Sequence, residues 1–290
     1  MVYGAIEAGG TKFVCSVANP DTFDIMDSVT IPTTTPPETM KEVFAFFDQF
    51  SLRSIGIGSF GPIDVNTSSD TYGYITSTPK PNWGNYPLRQ DVAERYNVPV
   101  AWTTDVNAAA YGEYHKGSGK GLNSCLYLTV GTGVGGGAII DGRILEGHGH
   151  PEMGHIMVQK HPDDKYEGAC PYHSNCLEGL AAGPAIEARY GAKAQTLADK
   201  EEVWRLEAHY LAQALVSYTL VLRPERIILG GGVMQQPHLL PLIHEEFKTF
   251  MGGYVPTDDL ESYIVTPGLE GRSGIVGCLL LAKEAEAESH

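Results

Sequence analysis

The chain has 290 residues, enough for one large domain or two ordinary ones, and 42% of them are hydrophobic, so a core can be buried without disulfides. A formal net charge of −15 argues against nucleic acid as a partner, because phosphate contacts need clustered Lys and Arg. Of the 5 cysteines, Cys15, Cys125 and Cys278 stand in apolar runs that suit buried free thiols; no charged leader and no apolar run of ~18 residues is present, so a cytoplasmic chain with no membrane partner is expected.

The first stretch, GAIEAGGTKFVCSVA, is two apolar segments joined by Gly9-Gly10-Thr11-Lys12, a hairpin signal whose turn exposes backbone N–H groups. No G-x4-GK[ST] accompanies it, so it is not a Walker A loop, and a plain tight hairpin explains it equally well. Glu7, just before the turn, faces either a metal–nucleotide or solvent. From Thr35, TPPETMKEVFAFFDQF predicts an amphipathic helix with prolines at its start and Met40, Val43, Phe44, Phe47 and Phe50 in the core. SIGIGSFGPID then reads as a short buried strand ending near Gly61, and strand ends in α/β folds are where ligand loops sit. The loop STPKPNWGNYPL carries Asn82 and Trp83, which either meet a ligand or simply pack.

PLRQDVAERY is helical, and VPVAWTTDVNAAAYGEYHKG is a strand entering an alanine-rich helix near Asn107. Asp105 at that junction either caps the helix by accepting a backbone N–H or serves as a general base at the mouth of a sheet. Next, SCLYLTVGTGVGGGAIIDGRILEG contains G-x-G-x-x-G at Gly131, Gly133 and Gly136. The dinucleotide fingerprint requires a helix after these glycines, whereas Ala138, Ile139, Ile140 and the Asp141-Gly142 turn signal predict a second strand and a second hairpin. Such a Gly/Thr loop can bind phosphate through its N–H groups. Two hairpins of this kind, one in each half, predict duplicated domains closing on a nucleotide.

His155, Cys170, His173 and Cys176 form H-x14-C-x2-H-x2-C, a Cys2His2 set suited to tetrahedral Zn2+. Four protein ligands leave no open position, so such an ion is structural; chance clustering in a histidine-rich loop is the bland alternative. Glu152 and Glu178 flank the set. Beyond it, GLAAGPAIEARYG reads as a helix with Gly183-Pro184 in its first turn, and VWRLEAHYLAQALVSYTLVL as a long buried helix. RPERIILGGGVM is again a strand followed by glycines, at Gly230, Gly231 and Gly232, either a cradle for the far side of a nucleotide or a flexible turn. SGIVGCLLLAKEAEAESH closes the chain as an apolar helix fraying into charge.

Taken in order and spacing, EAGGTK, GSFGPID, TDVNAAA, GTGVGGG, EMGH…CPYHSNCLEG and LGGGVM resemble the ROK family of bacterial sugar kinases and repressors, and within it the bacterial fructokinases. The likeness covers essentially the whole chain. It implies an α/β, actin-like (hexokinase/ribonuclease H-like) two-domain sugar kinase fold with an inserted zinc-binding loop. The small N-terminal domain would span 1–112, with a C-terminal helix at about 274–290 packing back on it, and the large domain 113–273, with the zinc loop at 150–180. A hexose and ATP are the implied partners, with ATP and sugar in the cleft between domains, Mg2+ with the nucleotide and a homodimer as the usual assembly. Carried over residue by residue, Asp105 is similar to the catalytic base, and Glu152, His155 and Glu178 to contacts with sugar hydroxyls; Gly61 and Asn82 join them as substrate-side candidates read from their own stretches. Gly10, Thr11, Lys12, Thr132 and Gly133 fall on the phosphate loops, and Pro184, Gly230 and Gly231 near the nucleotide's other end.

The sequence departs from the family pattern where Glu7 replaces the usual aspartate, Thr104 an asparagine and His173 a cysteine of the zinc loop. The family's repressors carry an N-terminal helix-turn-helix; this acidic chain opens on its first strand, and the intact hairpins and Asp105 favour an enzyme over a sugar-sensing regulator. The expected reaction is ATP-dependent phosphorylation of fructose to fructose 6-phosphate, with glucose, mannose or an N-acylated amino sugar as alternative substrates.

Overall fold

The computed structural model describes residues 1–257 and 259–289. Its strands are β1 (Val2–Ala8), β2 (Lys12–Ala18), β3 (Ile25–Pro32), β4 (Leu52–Ser59), β5 (Val100–Thr104), β6 (Cys125–Val130), β7 (Val134–Ile140), β8 (Arg143–Ile144), β9 (Ile227–Gly230) and β10 (Ile264–Val265). Its α-helices are α1 (Pro36–Phe47), α2 (Leu88–Tyr96), α3 (Asp105–Lys116), α4 (Leu177–Ala181), α5 (Gly183–Tyr190), α6 (Glu201–Leu222), α7 (Leu239–Met251), α8 (Leu260–Tyr263) and α9 (Ser273–Glu288). The chain divides into two units: Met1–Lys120 with Ile144–Pro151 and Gly268–His290, and Gly121–Arg143 with Glu152–Pro267.

The first unit holds a mixed sheet in the order β3-β2-β1-β4-β5. β1 pairs antiparallel with β2 and parallel with β4, and β4 pairs parallel with β5. Alternation along β4 decides its two faces. Ile55 and Ile57 enter the core with Met40, Val43 and Phe47 of α1 and Leu88 and Val92 of α2. On the other face Ser54 donates its hydroxyl to the Ala282 carbonyl at 2.6 Å, and a Cβ on Gly56 would overlap the Cys278 carbonyl. Small residues on that face therefore let α9 lie close to the sheet. The same device joins α3 to α9, where Gly112 faces the Ser273 carbonyl and Gly277 the Ala108 carbonyl, each too near for a Cβ.

Glu113, buried on α3, accepts from the N–H groups of Ser118 (2.7 Å), Gly268 (2.9 Å) and Leu269 (3.1 Å) and from the Ser273 hydroxyl (2.6 Å). Four donors satisfy a carboxylate that water does not reach, and they fasten the end of α3 to the start of α9. At α1, Thr35 and Glu38 form a capping box ahead of the helix, with prolines in its first turn. Trp83 is fully buried against Phe13, Phe60 and Tyr86 and donates its indole N–H to Thr34 at 2.7 Å, so it packs in the core.

The second unit repeats the plan. Its sheet runs β10-β9-β6-β7-β8, with β6 antiparallel to β7 and parallel to β9, and β9 parallel to β10. Strand for strand, β6, β7, β9 and β10 take the places of β1, β2, β4 and β5. Around it α6 and α7 pack on one another, α6 burying Trp204, Leu211 and Leu215 and α7 Ile243 and Phe247. Segment 157–165 is tied to α5 and α6 by a buried ion pair: the Arg189 guanidinium lies 3.1 Å from Asp164, with side chains 7% and 2% exposed, and Tyr210 donates to Asp164 at 2.6 Å. Two details differ from expectation. The helix after β5 begins at Asp105 and not near Asn107, and a separate helix, α4, precedes the one that Gly183-Pro184 opens.

Candidate functional site

In the first unit Gly10, Thr11 and Lys12, Gly61 and Asp105 follow the carboxyl ends of the mutually parallel strands β1, β4 and β5. The β1–β2 turn is closed by Gly9 N–H donating to the Lys12 carbonyl at 2.9 Å, and Thr33 donates from its N–H to the Thr11 carbonyl and from its hydroxyl to the Gly9 carbonyl. Gly10 is half-buried, and Thr11 and Lys12 are exposed. Glu7 on β1 stands in register with Gly58 on β4, and Gly58 with Thr103 on β5. Asp105 follows two residues later, half-buried at the first position of α3.

The helix cap is Thr104, whose side chain accepts from Asn107 N–H at 3.1 Å; the sequence alone left this task open to Asp105. Asp105 Oδ1 accepts from Val106 N–H at 2.8 Å, a bond that orients the carboxylate at the sheet edge. Gly61 lies in the loop after β4, where the next buried residue, Ile63, donates its N–H to His150 Nε2 at 3.1 Å. Asn82 is exposed in a turn, with φ 69°.

In the second unit three glycine loops meet. Gly183 N–H donates to the Gly131 carbonyl at 2.7 Å, Gly131 N–H donates to the Gly133 carbonyl at 2.9 Å, and Gly231, at φ 95°, lies too near the Val130 backbone for any side chain. Thr132, Gly133, Pro184, Gly230 and Gly231 are thus brought to one edge of this unit. The start of α5 offers no free N–H, since Gly183 donates to Gly131, Pro184 has none and Ala185 donates to Ala182; the glycine loops themselves are the setting that suits phosphate.

The EMGH turn lies on the same hairpin. Met153, Gly154 and His155 form a single 3-10 turn, and a Cβ on Gly154 would overlap the Val134 carbonyl. Glu178 reaches the hairpin from the other end of the loop. Its Oε2 accepts from Val134 N–H at 2.9 Å, and a Cβ on Gly133 would stand 2.7 Å from that oxygen. Its Oε1 is 3.7 Å from His155 Nε2, a gap that one hydroxyl can bridge by donating to the carboxylate and accepting from the ring N–H. Glu152, exposed at the front of the turn, supplies another carboxylate.

Behind this pair stand the four metal-ligand candidates. One ligand atom from each of His155, Cys170, His173 and Cys176 lies within 4.8 Å of all the others. Cys170 Sγ is 3.8 Å from His155 Nδ1 and 3.6 Å from His173 Nδ1, and Cys176 Sγ is 3.7 Å from His155 Nδ1. Sulfur and nitrogen ligands of tetrahedral Zn2+ stand about 3.6 Å apart from bond lengths alone, so the arrangement fits that ion. Burial pushes the Cys176 thiol up to about 11, only partly relieved by the Gly179 N–H, and a bound cation is what would favour the thiolate. His155 turns Nδ1 to the thiols and Nε2 to Glu178, so one ring joins the metal set to the carboxylate.

The model of the ROK family matches residues 3–285. A Bacillus subtilis (strain 168) protein is 54% identical over 97% of this chain and 95% of its own length. The Fructokinase of Streptococcus mutans is 47% identical over 99% of both chains. Among solved structures, a ROK family glucokinase from Streptomyces griseus in complex with glucose and AMPPNP is similar at a TM-score of 0.77 and 25% identity, covering 98% of this chain and 100% of its own. A match along nearly the whole chain, on a fold of two mixed α/β sheets, settles the family: the protein belongs to the ROK family.

Proposed function

We propose that the protein is an ATP-dependent fructokinase that transfers the γ-phosphoryl group of ATP to fructose and forms fructose 6-phosphate. The observation that carries the choice of sugar is the 47% identity to the Streptococcus mutans Fructokinase over 99% of both chains. Glucose is the second substrate to weigh, because a structural relative at 25% identity holds glucose with AMPPNP; mannose and N-acylated amino sugars complete the panel.

Phosphoryl transfer asks the protein mainly for positioning and charge neutralisation. Asp105 accepts the proton of the attacking sugar hydroxyl, its carboxylate oriented by Val106 N–H. Glu152, His155 and Glu178 bind sugar hydroxyls, with Gly61 and Asn82 on the same substrate's side. Gly10, Thr11, Lys12, Thr132 and Gly133 hold phosphates, and Pro184, Gly230 and Gly231 the nucleotide's other end. In an acidic chain these contacts rest on backbone N–H groups more than on side-chain cations. Mg2+ with the nucleotide would neutralise phosphate charge, and the oxygens of Glu7 and Asp105 suit a hard cation. Zn2+ on His155, Cys170, His173 and Cys176 would fix the loop that carries Glu178, with no open position for chemistry. The division into domains 1–112 with 274–290 and 113–273, a homodimer and a cytoplasmic location belong to the same reading. No helix among the described residues is long and apolar enough to cross a membrane.

Mixing the protein with ATP, Mg2+ and one hexose at a time and following ADP tests the reading. Fructose is expected to give the highest kcat/KM. Faster ADP release with glucose or mannose would reassign the sugar, and none with any hexose would refute the kinase.

A further inference from the structure

After Arg143 the chain leaves the second unit, Ile144–Pro151 belongs to the first, and Glu152 opens the return. No residue of this strap, ILEGHGHP, is buried. A Cβ on Gly147 or Gly149 would meet nothing within 4 Å, and the Gly147 N–H donates to the Gly149 carbonyl, inside the strap itself. Glycine leaves the backbone free, and close packing does little here to oppose that freedom. The placement of the strap therefore leans on polar contacts.

His150 makes one with a partner that cannot shift. Its Nε2 accepts from the Ile63 N–H at 3.1 Å. Ile63 is buried, and its neighbours are bonded on both sides. The Pro62 carbonyl accepts from the Thr76 N–H (2.8 Å) and hydroxyl (3.0 Å), the Asp64 N–H donates to the Tyr74 carbonyl at 2.9 Å, and the Asp64 carbonyl accepts from the Trp102 indole N–H at 2.9 Å. A donor fixed in this way on a buried residue demands an acceptor. Imidazole supplies one at Nε2 when its proton sits on Nδ1.

The bond joins two segments that carry substrate-side candidates, since Gly61 stands two residues before Ile63 and Glu152 two residues after His150. Pro151 lies between His150 and Glu152. Its ring fixes its own φ and restricts the residue before it, so a displacement of His150 passes on to Glu152 instead of being absorbed between them. We propose that His150 is a positioning residue for the sugar side: it hangs the strap on the loop after β4 and so sets where Glu152 presents its carboxylate. The sugar half of this proposal rests on the kinase reading above; the anchoring of the strap does not.

Two variants test it, read by amide-resolved hydrogen exchange and by steady-state kinetics. In His150→Ala the Ile63 N–H loses its acceptor, and that amide should exchange about 10-fold faster. The KM for the preferred hexose should rise about 10-fold, with kcat and the KM for MgATP within about two-fold of wild type, the pattern of lost ground-state binding. His150→Gln can place an amide oxygen where Nε2 stood, so Ile63 protection and the hexose KM should both return close to wild type. Unchanged Ile63 exchange in His150→Ala would overturn the anchor. Faster exchange with an unchanged hexose KM, or equal losses for hexose and MgATP, would overturn its link to Glu152. If His150→Ala does not fold, His150→Gln still decides, because a folded Gln variant with a raised hexose KM or an unprotected Ile63 amide contradicts the role of the acceptor. A wild-type chain that releases no ADP with any hexose refutes the kinase reading, and with it the sugar half, while exchange at Ile63 still judges the anchor.

Discussion

The turn between β1 and β2 and the turn between β6 and β7 are the same device built twice, each opening a sheet of the same strand order, yet they are held differently. Beside the first, a carboxylate comes from its own strand, Glu7, and rests against α9 through Gly274. Beside the second, a carboxylate comes from 44 residues away, Glu178, bonded to Val134 N–H and carried by the loop of His155, Cys170, His173 and Cys176. One hairpin takes its carboxylate from its own strand, and the other from the far end of a loop whose residues 161–175 are half-buried or exposed. Duplication supplied the frame; in the proposed reading a bound metal makes the second copy a sugar-binding wall where the first keeps the base.

The comparison is sharpened most by removing the proposed base. Asp105→Asn should cut turnover by about 10²–10⁴-fold, the range of general-base assistance, with fructose affinity and metal content unchanged by calorimetry and metal analysis. Near-normal turnover would move the chemistry away from the first unit. In the second unit, Asp164→Asn leaves Arg189 buried beside a neutral amide and should cost about 3–5 kcal/mol in denaturant unfolding. Burial pushes the Asp164 carboxyl up, but the Tyr210 hydroxyl, the Tyr166 N–H and Arg189 outweigh it and hold it below the usual range. A carboxyl depressed in the fold contributes fully above its unfolded value of about 3.9 and loses that contribution as pH falls through its folded value. The stability gap between wild type and Asp164→Asn should therefore be widest near neutral pH and shrink below about pH 4.

Glu178→Gln replaces a charge-assisted acceptor at Val134 N–H by a weaker one and should weaken fructose binding by roughly 10–100-fold, with little change in the KM for MgATP if the first hairpin is independently held. Equal losses for both substrates would erase the distinction. The smallest effect is expected at Thr104→Ala, where loss of the cap on α3 should cost about 1 kcal/mol in thermal or denaturant unfolding.

Much of this was legible in the sequence because it is local. Gly9-Gly10-Thr11-Lys12 between apolar runs gives a hairpin, Pro36 and Glu38 mark the start of α1, and the C-x2-H-x2-C spacing with His155 announces one ligand set, whose four side chains do converge. What escaped is long-range or a choice between neighbours. Thr104 and Asp105 are both good caps, and only the turn into α3 gives the task to Thr104. The bond from Val134 N–H to Glu178 and the four donors around Glu113 depend on tertiary packing, which periodicity does not carry. β3 has mostly exposed side chains on both faces and so shows no alternation to find, while β8 and β10 are only 2 residues each. Trp83 looked as fit for a ligand as for the core until its indole was seen bonded to Thr34.

The central claim of the proposed reading is that a metal bound by His155, Cys170, His173 and Cys176 holds Glu178 on the second hairpin while the first stands without it. Hydrogen exchange of the metal-replete protein and of the same protein after chelation, with metal loss verified, tests this at peptide resolution. Protection should fall across residues 131–134 and 152–180 and persist at residues 8–12 and along α9. Unchanged protection at 131–134 after complete metal loss, or an equal fall at 8–12, would contradict it.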